Sequence, residues 1–356
     1  MEANLLQGQR YGGIDRFRLL AALLIVAIHT APLSSLSVEL DFAVTRVIGR
    51  VAVPFFFMTT GYFLLHGYLG GEKKSHRNLW RFVRKTGIIY AIATAIYLPF
   101  SIYAGYYEGV SLPAEIWRNI IFDGTFYHLW YFPASIIGAL LVYLLSRRLS
   151  MVPLLIICAA LYALGLFGDS YYGLLQNAEG LQSAYEAGFH ISSYTRNGIF
   201  YAPIFLAMGG YMARARHRLP AAKSLVWFLI CLAVMLAEGL ALYRLGWQRH
   251  DSMYILLLPV MFFLFQFLLN GKSQGSKRMA SVTMWIYILH PLFIIAVRGF
   301  AKLSGTAELL IENSLLHYMA VCLLSVLFSV VIVIISEQVK RKINDKDKTR
   351  ARPQNG

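Results

Sequence analysis

The sequence predicts an all-α protein, a polytopic membrane helical bundle of about ten transmembrane helices. Three observations lead there. Of 356 residues, 58% are hydrophobic and only 14% are charged, whereas a soluble domain carries about 25% charged residues. Apolar runs of about 20 residues recur from one end of the chain to the other. Lysine and arginine collect in alternate gaps between those runs. The length alone would accommodate two soluble domains, but the unbroken recurrence argues for one bundle. The net charge of +15 would suit a nucleic-acid partner. The basic residues lie in the gaps, however, where membrane topology accounts for them, so no nucleic acid is expected. Cys158, Cys231 and Cys322 each fall inside an apolar run without C-x-x-C or metal-ligand spacing. They read as small core residues, and no metal site is expected. So many similar runs follow the first that it reads as a membrane span rather than a signal peptide.

The expected spans cover 16–34, 43–66, 86–105, 128–146, 151–168, 197–213, 224–243, 253–270, 280–298 and 314–336. The fourth, fifth and sixth are short enough to be tilted or partly re-entrant. With the N-terminus in the cytoplasm, 25 of the 33 lysine and arginine residues fall on the inner side. That bias predicts both termini cytoplasmic. The domain division expected is a transmembrane domain over 1–336 and a basic cytoplasmic tail over 337–356, disordered by its composition.

Polar residues inside apolar runs mark the candidate site, because ionisable groups within spans are rare and usually functional. In the first span, Arg18 and His29 are eleven residues apart, about 1100° of helical rotation and so within about 20° of three full turns. Both side chains therefore share a face, separated by about 16 Å of rise. Asp15 lies one turn before Arg18. Two readings stand for Arg18: snorkelling to lipid headgroups, or anion binding at the cytoplasmic boundary. His29, deeper in, reads as functional. In the second span, "VAVPFFFMTTGYFLL" contains Pro54 and Gly61, which loosen a helix, and Thr59 and Thr60, which back-bond to freed carbonyls. It reads as a kinked packing helix. The fourth span opens "YHLWYFPAS". An aromatic belt explains Trp130 and Tyr131, and His128 is either part of that belt or functional. The seventh holds Glu238 within an apolar stretch, and the ninth holds His290 followed by Pro291. The outer loops supply Asp169, Arg196, Asn197, Arg244, Arg249, His250 and Asp251. Most of these read as a solvated face, but Arg196 and Asp251 abut spans, where a polar ligand could bind. No G-x-S-x-G elbow, H-E-x-x-H, P-loop or G-x-G-x-x-G occurs.

The stretches "GIDRFRLLAALLIVAIH", "VPFFFMTTGYFLL" and "WIYILHPL" resemble the hallmark segments of the acyltransferase-3 family. These are ten-span membrane proteins that acylate sugars, peptides and antibiotics. The family's first-span arginine and histidine fall on Arg18 and His29. Its small-Gly motif falls on Thr60 and Gly61, where serine usually precedes the glycine. Its ninth-span Tyr-x-x-His-Pro falls on Tyr287, His290 and Pro291. A second resemblance, through "YHLWYFPA", "GDS", "TRNGIF", "HDSMY" and "LHP", is to the membrane region of the membrane-bound serine racemases of vancomycin-resistance clusters. There the membrane region is thought to supply L-serine to a cytoplasmic racemase domain that follows it. This chain ends at Gly356 without such a domain, so the racemase activity is not carried over. A separately encoded racemase becomes an expected partner.

The resemblance implies a cell-membrane, multi-pass acyltransferase that transfers groups other than aminoacyl groups. It needs no permanently bound cofactor and uses acyl-CoA as co-substrate. Its partners are the lipid bilayer and a small-molecule or cell-envelope acceptor. Arg18, with Asp15, would hold the donor phosphates. His29 would be the general base, since imidazole titrates near neutrality. Tyr287, His290, His128, Glu238, Arg196 and Asp251 are the further pocket candidates. The alternative is a module that binds or takes up L-serine, with Glu238 or Asp251 facing the ammonium and Arg196 or Arg244 the carboxylate.

Overall fold

The computed structural model describes residues 11–65, 74–106, 112–215, 218–271 and 275–350. Arg10, Lys73, Glu108, Arg216, Lys272 and the tail end 351–356, which enter the charge pattern above, lie outside these. Regular structure among the described residues is helical. Each expected apolar run falls on a helix: α1 Gly12–Thr30, α2 Val38–Leu64, α3 Lys74–Tyr103, α4 Tyr131–Ser146, α5 Met151–Phe167, α6 Ala202–Arg214, α7 Ala221–Leu245, α8 Leu257–Leu269, α9 Lys277–Ser304 and α10 Ser314–Arg350. Among the described residues, five helices are long and apolar enough to cross a membrane. They lie within α2, α3, α7, α9 and α10, while α4, α5 and α8 are shorter apolar helices. Apolar side chains on α3, α7 and α10 face outward, among them Ile88, Ile92, Trp227, Ile230, Leu323 and Leu327. A water-soluble surface rarely presents such stripes, and lipid tails suit them. The chain is a membrane protein.

The chain divides into two compact units. The first comprises Met1–Ile14 and Phe42–Gln274. Its centre is aromatic, with Phe55, Phe57, Tyr62, Tyr162, Tyr201, Phe205, Tyr254 and Phe265 fully buried. Here α2 and α6 meet at backbone distance. A Cβ added at Gly61 would stand 2.0 Å from the Leu206 carbonyl oxygen, and one at Gly209 would stand 2.1 Å from that of Met58. Lipid tails are as apolar as leucine, so helices in a membrane associate through close packing, and small residues permit it. Gly61, read from the sequence as a loosener, is therefore a contact point. Pro54 does not kink the helix either. It sits in the first turn of the regular stretch Ala52–Leu64, where its missing N–H is not needed. Thr59 back-bonds as expected, its Oγ1 donating to the Phe55 carbonyl at 2.8 Å. The irregularity lies earlier, where Phe42–Val47 is π-helical and Ile48–Val51 is 3-10 helical. The carbonyl of Arg46 in this stretch accepts the Tyr254 hydroxyl at 3.0 Å and Arg50 Nε at 3.3 Å.

The second unit comprises Asp15–Asp41 and Gly275–Gly356. Ala22 and Val26 of α1 pack with Val282, Ile286, Leu289, Phe293 and Val297 of α9, and with Val321 and Val333 of α10. The first helix ends at Thr30, short of the expected residue 34. Ala31 takes a left-handed φ of 49°, a region that breaks an L-residue helix, and Pro32 follows. The turn is pinned, since Ser314 Oγ donates to the Pro32 carbonyl at 2.8 Å and Leu33 N donates to Asp41 Oδ1 at 2.9 Å. At the other end of the chain, α10 remains helical to Arg350, through most of the stretch expected to be disordered. Lysine, arginine and glutamate are good helix formers, and Arg278 pairs with Glu337 at 2.5 Å.

Replacing Gly61 or Gly209 by alanine is expected to force α2 and α6 apart, costing about 1–3 kcal/mol as overpacking. Thermal unfolding of the detergent-solubilised protein measures this, and an unchanged melting temperature in both variants would contradict the close packing.

Candidate functional sites

The sequence-predicted residues separate into two clusters, one within each unit. Asp15, Arg18, His29, Tyr287 and His290 belong to the second unit, and His128, Arg196, Glu238 and Asp251 to the first.

In the second unit, Arg18 pairs with Asp15 one turn before it. Asp15 uses its other oxygen to accept the backbone N–H of Ser276 at 2.7 Å, the residue that precedes α9. Asp15 thus ties the start of α9 to α1, and an anion reaching Arg18 meets a guanidinium that a carboxylate already orients. His29 sits in the last turn of α1, half-buried. Its ring stacks on that of His290, with centroids 5.2 Å apart and planes 25° apart. Pro291 explains His290. Proline has no N–H to give the carbonyl four residues back, which is that of Tyr287. His290 Nδ1 lies 2.8 Å from this carbonyl and 3.2 Å from that of Ile286. Carbonyl oxygens only accept, so Nδ1 carries the proton and Nε2 the lone pair. The Tyr-x-x-His-Pro spacing is therefore a local device in which the histidine replaces the amide that the proline lacks. It fixes the tautomer of a fully buried imidazole against which His29 lies.

In the first unit, the loop after α5 and the loop between α7 and α8 build a polar cluster. Asp169 is fully buried. Its Oδ1 accepts Ser252 N at 2.7 Å, Met253 N at 2.9 Å and Ser170 Oγ at 2.9 Å. Asp251 takes Arg50 directly and Arg46 Nε at 3.7 Å. His250 Nδ1 shares a hydrogen bond with Ser252 Oγ at 2.7 Å and lies 3.5 Å from Asp169 Oδ2. Its ring meets Tyr194 edge-on at 4.9 Å. The guanidinium of Arg196 lies over Tyr194 at 4.6 Å and over Trp130 at 5.0 Å. Asn197 positions that segment, since its Oδ1 accepts Ile199 N at 2.9 Å and Phe200 N at 3.1 Å ahead of α6. Arg46, Arg249, His250 and Asp251 line an open cleft of about 370 Å³. Burial lowers the pKa of His250, and the cations Arg196 and Arg50 lower it further, against a smaller opposing pull from Asp169. Burial would raise the carboxyl of Asp251, but Arg50 and Arg46 outweigh it and hold the group below its usual range.

Two candidates have structural duties. Glu238 accepts Tyr171 Oη at 2.6 Å, Ile255 N at 2.6 Å and Leu256 N at 3.0 Å. It caps the entry to α8, where amides otherwise lack acceptors, and does not stand open for a ligand ammonium. His128 lies in the turn before α4, among the rings of Tyr97 at 4.9 Å and Phe126 at 5.8 Å. Arg50 and Asp169 carry much of the first-unit cluster, and sequence reading passed over both. Arg50 lies within the second expected span, 43–66, whose reading turns on Pro54, Thr59, Thr60 and Gly61, and Asp169 reads as one of the solvated loop residues. The available signal was that Arg50 lies inside a strongly apolar run and Asp169 directly after one, where a charge needs a partner.

The family model of the acyltransferase-3 family, an acyltransferase domain, matches residues 11–334, and the chain belongs to that family. Among curated proteins, it is 42% identical to an amino-acid racemase of Enterococcus faecalis over 94% of this chain and 47% of that one. It is 37% identical to a serine/alanine racemase of Enterococcus gallinarum over 89% of this chain and 45% of that one. The chain thus spans about half the length of the curated relatives it matches. No solved structure matches it.

The His250 environment has a pH consequence. The folded state resists protonating a group that the unfolded chain protonates near its ordinary value of about 6.5. Stability is therefore fully present above that pH and falls as the pH drops through it. Melting temperatures measured between pH 8 and 5 should decline on the acid side, and His250→Asn should flatten part of that decline. Parallel profiles for the two proteins would clear His250 of the effect.

Proposed function

We propose that the protein is a multi-pass cell-membrane acyltransferase with ten spans, both termini in the cytoplasm and His29 as general base. The observation that carries this reading is the histidine pair, in which His29 lies against an imidazole whose tautomer the Tyr287 carbonyl fixes. Two stacked imidazoles in an apolar core are costly as packing alone, and they suit a site that moves a proton. The donor is a thioester, acyl-CoA, presented from the side of Arg18, whose guanidinium with Asp15 orients its phosphates. His29 removes the proton from an acceptor hydroxyl or amine. The freed lone pair attacks the thioester carbonyl, the C–S bond breaks, and the thiolate leaves with the proton that His29 returns.

In membrane vesicles supplied with labelled acyl-CoA and the cell-envelope fraction as acceptor, His29→Ala should lower transfer by about 10²-fold or more while the melting temperature stays near that of the wild type. Arg18→Gln should raise KM for the donor more than it lowers kcat. Full activity in His29→Ala would end this assignment.

A second reading is favoured by the relatives, which are named as amino-acid racemases. In it the chain binds or takes up L-serine for a separately encoded serine racemase. Proteoliposomes containing the protein should then accumulate labelled L-serine without any acyl donor. Uptake equal to that of empty liposomes would remove this reading.

A further inference from the structure

Most charged groups of the first-unit cluster are matched. Arg50 and Arg46 share Asp251, and three donors converge on Asp169 Oδ1. Arg196 is different. Among the described residues, no carboxylate lies within ion-pair distance of its guanidinium, and its Nε is buried without a hydrogen-bond acceptor. The partners it has are two aromatic faces, Tyr194 and Trp130. Rings hold a guanidinium by its flat faces and leave its N–H edge for an acceptor in the ring-parallel plane. The charges that act on Arg196 are Arg50, Asp169 and Asp251. With Arg46 and Arg249 of the cleft included, four cations stand against two carboxylates that are already engaged, so the cluster carries a surplus of positive charge. The cleft of about 370 Å³ adjoins it through His250, which lines that cleft and touches the same Tyr194 ring that covers Arg196.

We propose that Arg196, held against the rings of Trp130 and Tyr194, is the carboxylate-binding residue of a small-molecule site in the first unit. The ligand class is a small carboxylate of amino-acid size, which enters beside His250 and supplies negative charge against that surplus. The guanidinium edge takes the carboxylate in a forked pair of hydrogen bonds, a geometry that lysine cannot reproduce. The site does not depend on the acyl-transfer reading. It deepens the serine reading by naming the group that holds the carboxylate.

The test uses the full chain in detergent, with L-serine, L-serinamide, L-lactate and acetate as probes. L-Serine should raise the melting temperature and L-serinamide should not. Arg196→Gln should abolish the response, and Arg196→Lys should weaken apparent affinity about tenfold. Phenylglyoxal labelling supplies a measurement on the unmodified protein: L-serine, but not L-serinamide, should slow modification of Arg196 as read by peptide mass spectrometry. If L-lactate and acetate act through Arg196 while L-serine does not, the carboxylate site stands and the serine reading fails. The proposal is overturned if none of the three carboxylates shifts the wild type or protects Arg196. It is also overturned if Arg196→Gln responds as the wild type does.

Discussion

A polar atom without a partner costs several kcal/mol in an apolar surround, and that single constraint orders most of what is distinctive here. Pro291 deprives the Tyr287 carbonyl of its amide, and His290 answers with Nδ1–H. The π-to-3-10 change in α2 coincides with an Arg46 carbonyl that Tyr254 and Arg50 occupy. Asp169 and Glu238 gather backbone amides where chain segments leave or enter helices. Polarity inside an apolar run is thus of two kinds. One kind is consumed by the backbone and holds the fold. The other lies against side-chain rings, as with His29 against His290 and Arg196 against Trp130.

Hydrophobic length is a strong signal, and the ten runs read from the sequence all lie on helices. Helical arithmetic on α1 was equally dependable, because a continuous helix from Gly12 to Thr30 keeps Arg18 and His29 on one face. What sequence could not supply was anything set by distant partners. Pro54 and Gly61 suggested a kink in α2, yet the irregular stretch falls at residues 42–51, where Tyr254 and Arg50 occupy the Arg46 carbonyl. The stacking of His29 on His290 joins opposite ends of the chain, and only their shared rarity hinted at it. Glu238 looked like a ligand group because the donors that engage it lie in other segments. Ala31 gives no warning that it will take a left-handed turn, since that turn depends on the anchors around Pro32 and Leu33.

The two clusters attach to different lines of evidence. The family model covers the chain almost from end to end, and of the family-like motifs Arg18, His29, Tyr287, His290 and Pro291 lie in the second unit while Thr60 and Gly61 lie in the first. The racemase-named relatives share this chain's sequence over about half of their own length. The first-unit cluster, with its surplus of cations and its cleft, is where the proposed carboxylate site lies.

The length of α10 has a mechanical meaning. A helix from Ser314 to Arg350 is about 55 Å long at 1.5 Å per residue, while the hydrocarbon core of a bilayer is about 30 Å thick. The charged stretch after Ser336 therefore continues as the same rod and adds about 20 Å of reach. A flexible tether would decouple whatever it touches from the bilayer. A rod carries rotation and tilt along its axis, so any rearrangement of α10 beside α1 and α9 is delivered to its basic end as a displacement.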